Sequence, residues 1–198
     1  MDEDTADVVF EVDNGSNCQS RENSKTTTTL YAHRFILQDI STVLAELCKP
    51  AEGGISTATI SITDVKPEIF KHMIYYAYGG KLSEEDLKAN AKDIINACDK
   101  YGVVNLKLEA EACYVKSTTF SIDNIMDNLL YSDSKNLASL KEAVMDYIVA
   151  NKKRIIGKVS FDNVPGFATD LLTAMARGED DDSSDDDEED ESIKYNNM

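Results

Sequence analysis

The chain has 198 residues, 42% of them apolar, with 20 basic and 37 acidic side chains and a formal charge of −17. That length holds one domain of ordinary size plus an appendage, and the apolar share supplies a real core. No stretch approaches the ~18 uninterrupted apolar residues of a membrane helix, and no basic stripe exists to track phosphates, so neither a membrane nor direct nucleic-acid binding is expected.

The chain opens on acidic Met1-Asp2-Glu3-Asp4, without the basic-then-apolar pattern of a signal or transit peptide, so the expected location is the cytoplasm, the nucleus or both. Val8, Phe10 and Val12 alternate with polar neighbours as in a half-buried strand. Residues 13–28 are polar, contain Asn14-Gly15 and read as a long hairpin loop, with Thr29 to Ala32 returning as a second strand. From His33 the period changes. Ile36, Ile40, Val43 and Leu47 are spaced as one helical stripe over 33–47, and residues 50–54 end it. Phe35 and Leu44 lie on other faces of that helix, which therefore has more apolar sides than one core needs and points to a second buried surface. Ala58-Thr59-Ile60-Ser61-Ile62 alternates as a third strand.

Pro67 suits the first turn of a helix carrying Phe70, Met73, Ile74 and Ala77, and Gly79-Gly80 can end it in the left-handed region. Ser83-Glu84-Glu85-Asp86 resembles a capping box, with Leu87, Ala91, Ile94 and Cys98 carrying the next helix to Tyr101-Gly102. Leu106, Ala110 and Cys113 define another. Ser121 reads as the N-cap of a helix holding Ile122, Ile125, Met126 and Leu129. Leu137, Leu140, Val144, Tyr147 and Ile148 form its partner, with Lys152-Lys153-Arg154 near its end, where the macrodipole favours cations. A last helix is expected over 165–176, bearing Phe167, Leu171, Leu172 and Met175. The class is α+β: a short N-terminal β-sheet, then a mostly helical body.

Catalytic chemistry finds no foothold. Cys18, Cys48, Cys98 and Cys113 show no paired spacing, and only His33 and His72 could join them, so no metal, cofactor or catalytic residue is expected and the thiols read as reduced and idle. His33 has no nucleophile pattern around it and reads as structural. Tyr75, Tyr76 and Tyr78 at helical spacing divide between core and surface. Asp7 with Arg34 could be a plain surface pair worth ~0–1 kcal/mol.

Several ordered strings share a source. Asp7-Val8-Val9-Phe10-Glu11-Val12, then Ala32-His33-Arg34, then Ile60-Ser61-Ile62-Thr63-Asp64-Val65-Lys66-Pro67-Glu68-Ile69-Phe70 resemble the start of a BTB/POZ domain. Tyr75-Tyr76-Ala77-Tyr78-Gly79-Gly80 and 93–101 resemble its later helix end and helix, and 118–156 resembles the helix pair following the domain in the speckle-type POZ group. The resemblance implies a BTB/POZ domain over 5–117, a BACK-like helical extension over 118–176 and an acidic tail over 177–198. It implies a non-enzymatic module that homodimerises near the 33–47 helix, through Asp7, Arg34, Phe35, Ile36, Ile40, Val43 and Leu44. Asp7 and Arg34 match an acid and a base that form a charged pocket at the two-fold axis.

The resemblance also implies docking on cullin-3, making the chain a substrate adaptor of a ubiquitin ligase for a protein substrate the sequence does not name. The docking triplet, hydrophobic-x-Glu in the speckle-type group, falls on Leu47-Cys48-Lys49, where the acid has become a base; Tyr75 and Tyr78 would assist. No MATH or kelch region accompanies it, so a substrate would be held by the domain surface, the extension or a partner. The alternative is a free-standing oligomerisation or regulatory scaffold without a ligase link.

Of the total charge, −11 lies in 179–191, which has no base, and −6 in the rest. That run reads as a solvated tail or a lure for basic partners. Ser183 and Ser184 each have an acid three residues on, as an acidophilic kinase requires.

Overall fold

The computed structural model describes residues 3–14, 27–49 and 58–156, together with Gly166. After a short 3-10 turn (Glu3–Thr5), β1 (Val8–Asp13) runs antiparallel to β2 (Thr27–Ala32), from Val8 opposite Ala32 to Asp13 opposite Thr27. It runs parallel to β3 (Ala58–Ile62), giving the strand order β2-β1-β3. The expected alternation holds. Val8, Phe10 and Val12 are fully buried, and Leu30, Ala32 and Ile62 join them. β2 begins at Thr27, ahead of the expected Thr29; most of the expected 13–28 loop and the helix stop at 50–54 lie outside the described residues.

The single helix expected over 33–47 is two. α1 (Arg34–Ile40) and α2 (Thr42–Leu47) meet at Ser41, whose backbone is extended at φ −154° and ψ 122°. Ser41 Oγ accepts from the Leu44 N–H at 3.1 Å and donates to the Tyr101 carbonyl at 2.5 Å. A serine offering its side chain to the backbone competes with helix continuation, and here it starts a new helix instead. The break shifts the phase of every side chain after it. Leu37 and Leu44 fill the core, while Val43 and Leu47 are exposed and Ile36 and Ile40 half-buried. The stripe of four is therefore not the buried face.

α3 (Pro67–Ala77) starts on its proline as expected and buries Ile69, Phe70, Met73 and Ile74. α4 (Glu84–Tyr101) is capped by Ser83, whose Oγ accepts from the Asp86 N–H at 3.0 Å, and ends on Gly102 in the left-handed region at φ +69°. Phe70 is the hub between sheet and helices: its ring meets Phe10 edge-on at 4.9 Å and Tyr101 at 5.6 Å.

α5 (Val104–Ser117) leads to the contacting pair α6 (Ile125–Ser134) and α7 (Ala138–Ala150), then to α8 (Lys152–Ile156). Ser121 does not cap α6. Its N–H donates to Asn124 Oδ1 at 2.9 Å, closing a turn that delays the helix to Ile125 and leaves Ile122 outside it. Lys152, Lys153 and Arg154 do not close α7 either. Asn151 ends that helix, its Nδ2 donating to the Tyr147 carbonyl at 2.9 Å, and the bases begin α8. The helix expected over 165–176 and the acidic tail lie outside the described residues, apart from Gly166. Among the described residues no helix is long and apolar enough to cross a membrane.

Candidate protein-interaction surface

The junction of β2 with α1 is built by Asp7. Its N–H donates to the Ala32 carbonyl and its own carbonyl accepts from the Ala58 N–H, both at 3.2 Å, so its backbone ties β1 to both neighbours. Its carboxylate Oδ1 accepts the Arg34 N–H at 2.8 Å. The residue in the N-cap position, His33, gives α1 no side-chain hydrogen bond, so Asp7 supplies the missing acceptor from another strand. Asp7 and Arg34 are joined here through the arginine backbone N–H.

His33 is occupied elsewhere. Its N–H donates to Tyr78 Oη at 2.9 Å, its Nδ1 lies 2.6 Å from the same oxygen, and its Nε2 lies 3.1 Å from Thr5 Oγ1. A neutral ring protonated on Nε2 satisfies all three, with Tyr78 donating to Nδ1. Tyr78 is thus a strut between α3 and the α1 junction, and burial raises its phenol pKa. Cys48 lies close enough to feel both members of the Asp7–Arg34 pair. Burial pushes its thiol up to about 11, the Arg34 charge working against this and the Asp7 charge with it.

The outer surface is apolar in places. Phe35 is 77% exposed, the most exposed large apolar residue among those described. Leu44 is fully buried and offers no surface in the protomer. The triplet Leu47-Cys48-Lys49 alternates out, in, out: Leu47 and Lys49 are exposed and Cys48 is core. Lys49 Nζ lies 2.5 Å from Glu46 Oε1, so the base standing where an acid was expected is paired with an acid one turn back. Tyr75 is half-exposed, and its ring covers Gly80 so closely that a Cβ there would lie 2.4 Å from it.

Val104 and Leu108, at 61% and 56% exposed, were not foreseen. They lie one turn apart on α5, off the Leu106–Ala110–Cys113 stripe. The spacing of four was itself the available signal of a second face. A Cβ on Gly102 would lie 3.1 Å from Val43 Cγ2, which puts the start of α5 beside exposed Val43. Exposed apolar residues grouped in this way are candidates for an interaction surface. Among the described residues no cluster of three His, Cys, Asp or Glu could hold a metal. Ser183 and Ser184 lie outside the described residues.

A family model described as BTB/POZ domain matches residues 2–118. "TD and POZ domain-containing protein 1-like" of Mus musculus is 29% identical over 117 residues, covering 59% of this chain and 32% of the relative. "TD and POZ domain-containing protein 4" of Mus musculus is 28% identical over 118 residues, covering 60% of this chain and 31% of the relative. The chain thus spans under a third of the length of the curated relatives it matches.

Proposed function

Because the chain belongs to the BTB/POZ family of protein-interaction modules, we propose that it homodimerises through the α1 face and acts as a substrate adaptor for a cullin-3 ubiquitin ligase, in the cytoplasm or nucleus. The observation that carries the first part is Phe35, 77% exposed on a helix anchored at its N-terminus by Asp7. An aromatic ring left in water on a well-anchored helix is costly unless a partner covers it. A second copy covers it when Phe35, Ile36 and Ile40 meet their symmetry mates across a two-fold axis. Light scattering on the full chain at micromolar concentration tests this: twice the monomer mass is expected, and Phe35→Asp lowers it to the monomer. A strict monomer across the range refutes it.

The docking role rests on Leu47, Lys49 and Tyr75, all at the surface, with Val43, Val104 and Leu108 extending the apolar area. An interface built for a carboxylate leaves donors unpaired opposite an ammonium, so Lys49→Glu strengthens binding of the cullin-3 N-terminal domain in calorimetry. Tight wild-type binding untouched by the substitution places Lys49 outside the interface. No binding by either form favours the scaffold reading, for which the Lys49 departure is the specific support. As an adaptor, the chain holds its substrate by the module surface, by a BACK-type extension beyond 118 or through a partner, and phosphorylation of Ser183 and Ser184 adds ~1.5–2 negative charges per site to the acidic run.

A further inference from the structure

We propose that the cleft between the start of α3, the face of α4 and the end of α6 is a docking site for this chain's own acidic run, 179–191, which reaches back onto it. The cleft has a volume of about 370 Å³. Three lysines line it from three elements: Lys66 at the start of α3, Lys100 on α4 and Lys135 at the end of α6. Among the described residues that line it, Asp64 and Asp93 are the acids. The described lining thus carries +1, whereas the chain outside 179–191 carries −6. Behind Lys135 the excess of base continues, because Asp99 is shared by Lys107 at 2.5 Å and Lys135 at 3.5 Å. Asn96 adds an amide donor to the same wall.

Each of the three lysines meets an aspartate, but in pairs that an arriving carboxylate can join. Lys66–Asp93, at 2.7 Å, and Lys100–Asp64, at 2.5 Å, face solvent, with both lysines more than half exposed. Exposed pairs hold weakly, and an ammonium has three donors, so it bridges two carboxylates without giving up the first. The occupant follows from charge and reach. The run 179–191 holds 11 acids and no base, so it presents a carboxylate at nearly every position. Ile156, at the end of α8, and Glu179 are 23 positions apart. That length spans ~35 Å as a helix and about 75 Å extended, at least the width of a small domain. A tether of this kind gives an effective concentration on the order of millimolar, so contacts too weak to hold a free peptide suffice within one chain. Phosphorylation of Ser183 and Ser184 adds charge to the run and tightens the docking.

Carbodiimide coupling, which joins an amine to a carboxylate in contact, tests this on the full chain. Peptides from 179–191 are expected joined to Lys66, Lys100 and Lys135 about tenfold more often than to Lys71, Lys88 and Lys116, which are exposed outside the cleft. In a mixture of isotope-labelled and unlabelled chains, each joined pair should come from a single chain. Even coupling across all six lysines overturns the proposal, leaving only diffuse attraction. Pairs of mixed label overturn it too, because the run then lies on a second copy. An independent check replaces the 11 acids of 179–191 by Asn and Gln. Amide resonances of 64–66, 93–100 and 135 should move in that variant while those of β2 stay. Resonances that move nowhere, or throughout the molecule, refute the docking.

Discussion

Asp7 supports α1 in a way that its place in a charged pair does not convey. Its Oδ1 accepts the Arg34 backbone N–H at 2.8 Å, and the side chain in the N-cap position, His33, does not cap that helix. Replacing an N-terminal acceptor with alanine costs about 1 kcal/mol, within a range of roughly 0.5–2. Asp7→Ala should therefore lower the unfolding free energy by about that amount in urea titrations with unchanged slope. Asp7→Asn keeps an oxygen in place and loses only the charge, so its cost is the helix-dipole share, ~0.3–1 kcal/mol. Arg34→Ala leaves the backbone N–H intact and spares this bond. Running each titration at two protein concentrations separates the local cap from an interface effect, since a loss at a subunit contact grows on dilution and a cap loss does not. Equal costs for Asp7→Ala and Asp7→Asn, or a cost for Asp7→Ala of under about 0.3 kcal/mol against that ~1 kcal/mol expectation, would refute the capping argument.

Gly102→Ala should destabilise by ~1–2 kcal/mol, because φ is +69° and the new Cβ lies 3.1 Å from both Ser41 Oγ and Val43 Cγ2; thermal melting checks it, and an unchanged midpoint refutes it. The Asp99 carboxyl is held below its usual range by the hydrogen bond from Lys107, which outweighs its burial. At Asp64 burial pushes upward, but the bonds from Lys100 and Tyr101 prevail and lower it. Both groups thus stabilise the fold above the unfolded value of ~3.9, and that stability is lost as pH falls through their lower folded values. Acid titration of Lys107→Met should show a shallower loss than wild type, and identical curves would remove Asp99 from the account. Burial pushes the Cys48 thiol to about 11 and Cys98 to about 12, so at neutral pH maleimide should label half-exposed Cys113 well before either; early labelling of Cys98 in folded protein contradicts this.

The sequence showed the sheet and the longer helices because their signals are local. Val8, Phe10 and Val12 alternate whatever surrounds them, Pro67 fits a helix only in its first turn, and Ser83 with Asp86 closes a cap within four residues. It misplaced the elements that depend on distant partners. Ser41 breaks the helix because its hydroxyl reaches the Tyr101 carbonyl, sixty positions on, and no window around Ser41 holds that information. The capping role of Asp7 is of the same kind, since it acts on a helix it does not belong to. The start of α6 is a local exception: Asn124, three residues on, accepts the Ser121 N–H, an acceptor role both side chains could have offered.

The same distinction governs the surface. A stripe reading put Leu44 and Leu47 on one helix that offered both core and partner faces; the phase shift at Ser41 sends Leu44 inward and Leu47 outward. Lys49 reads alone as a base displacing an acid, yet in the folded chain it lies against Glu46, so the pair presents no net charge. Lys49→Glu therefore does more than restore a carboxylate. It leaves two acids one turn apart, a local repulsion that opposes any gain in docking. Glu46→Gln alone removes the compensating acid and should weaken the proposed cullin docking, because the ammonium then faces the partner unshielded. The double variant Glu46→Gln with Lys49→Glu should bind more tightly than Lys49→Glu alone, since the new carboxylate no longer meets a like charge. Additive single and double effects in calorimetry would show that the pair does not act as a unit at the interface.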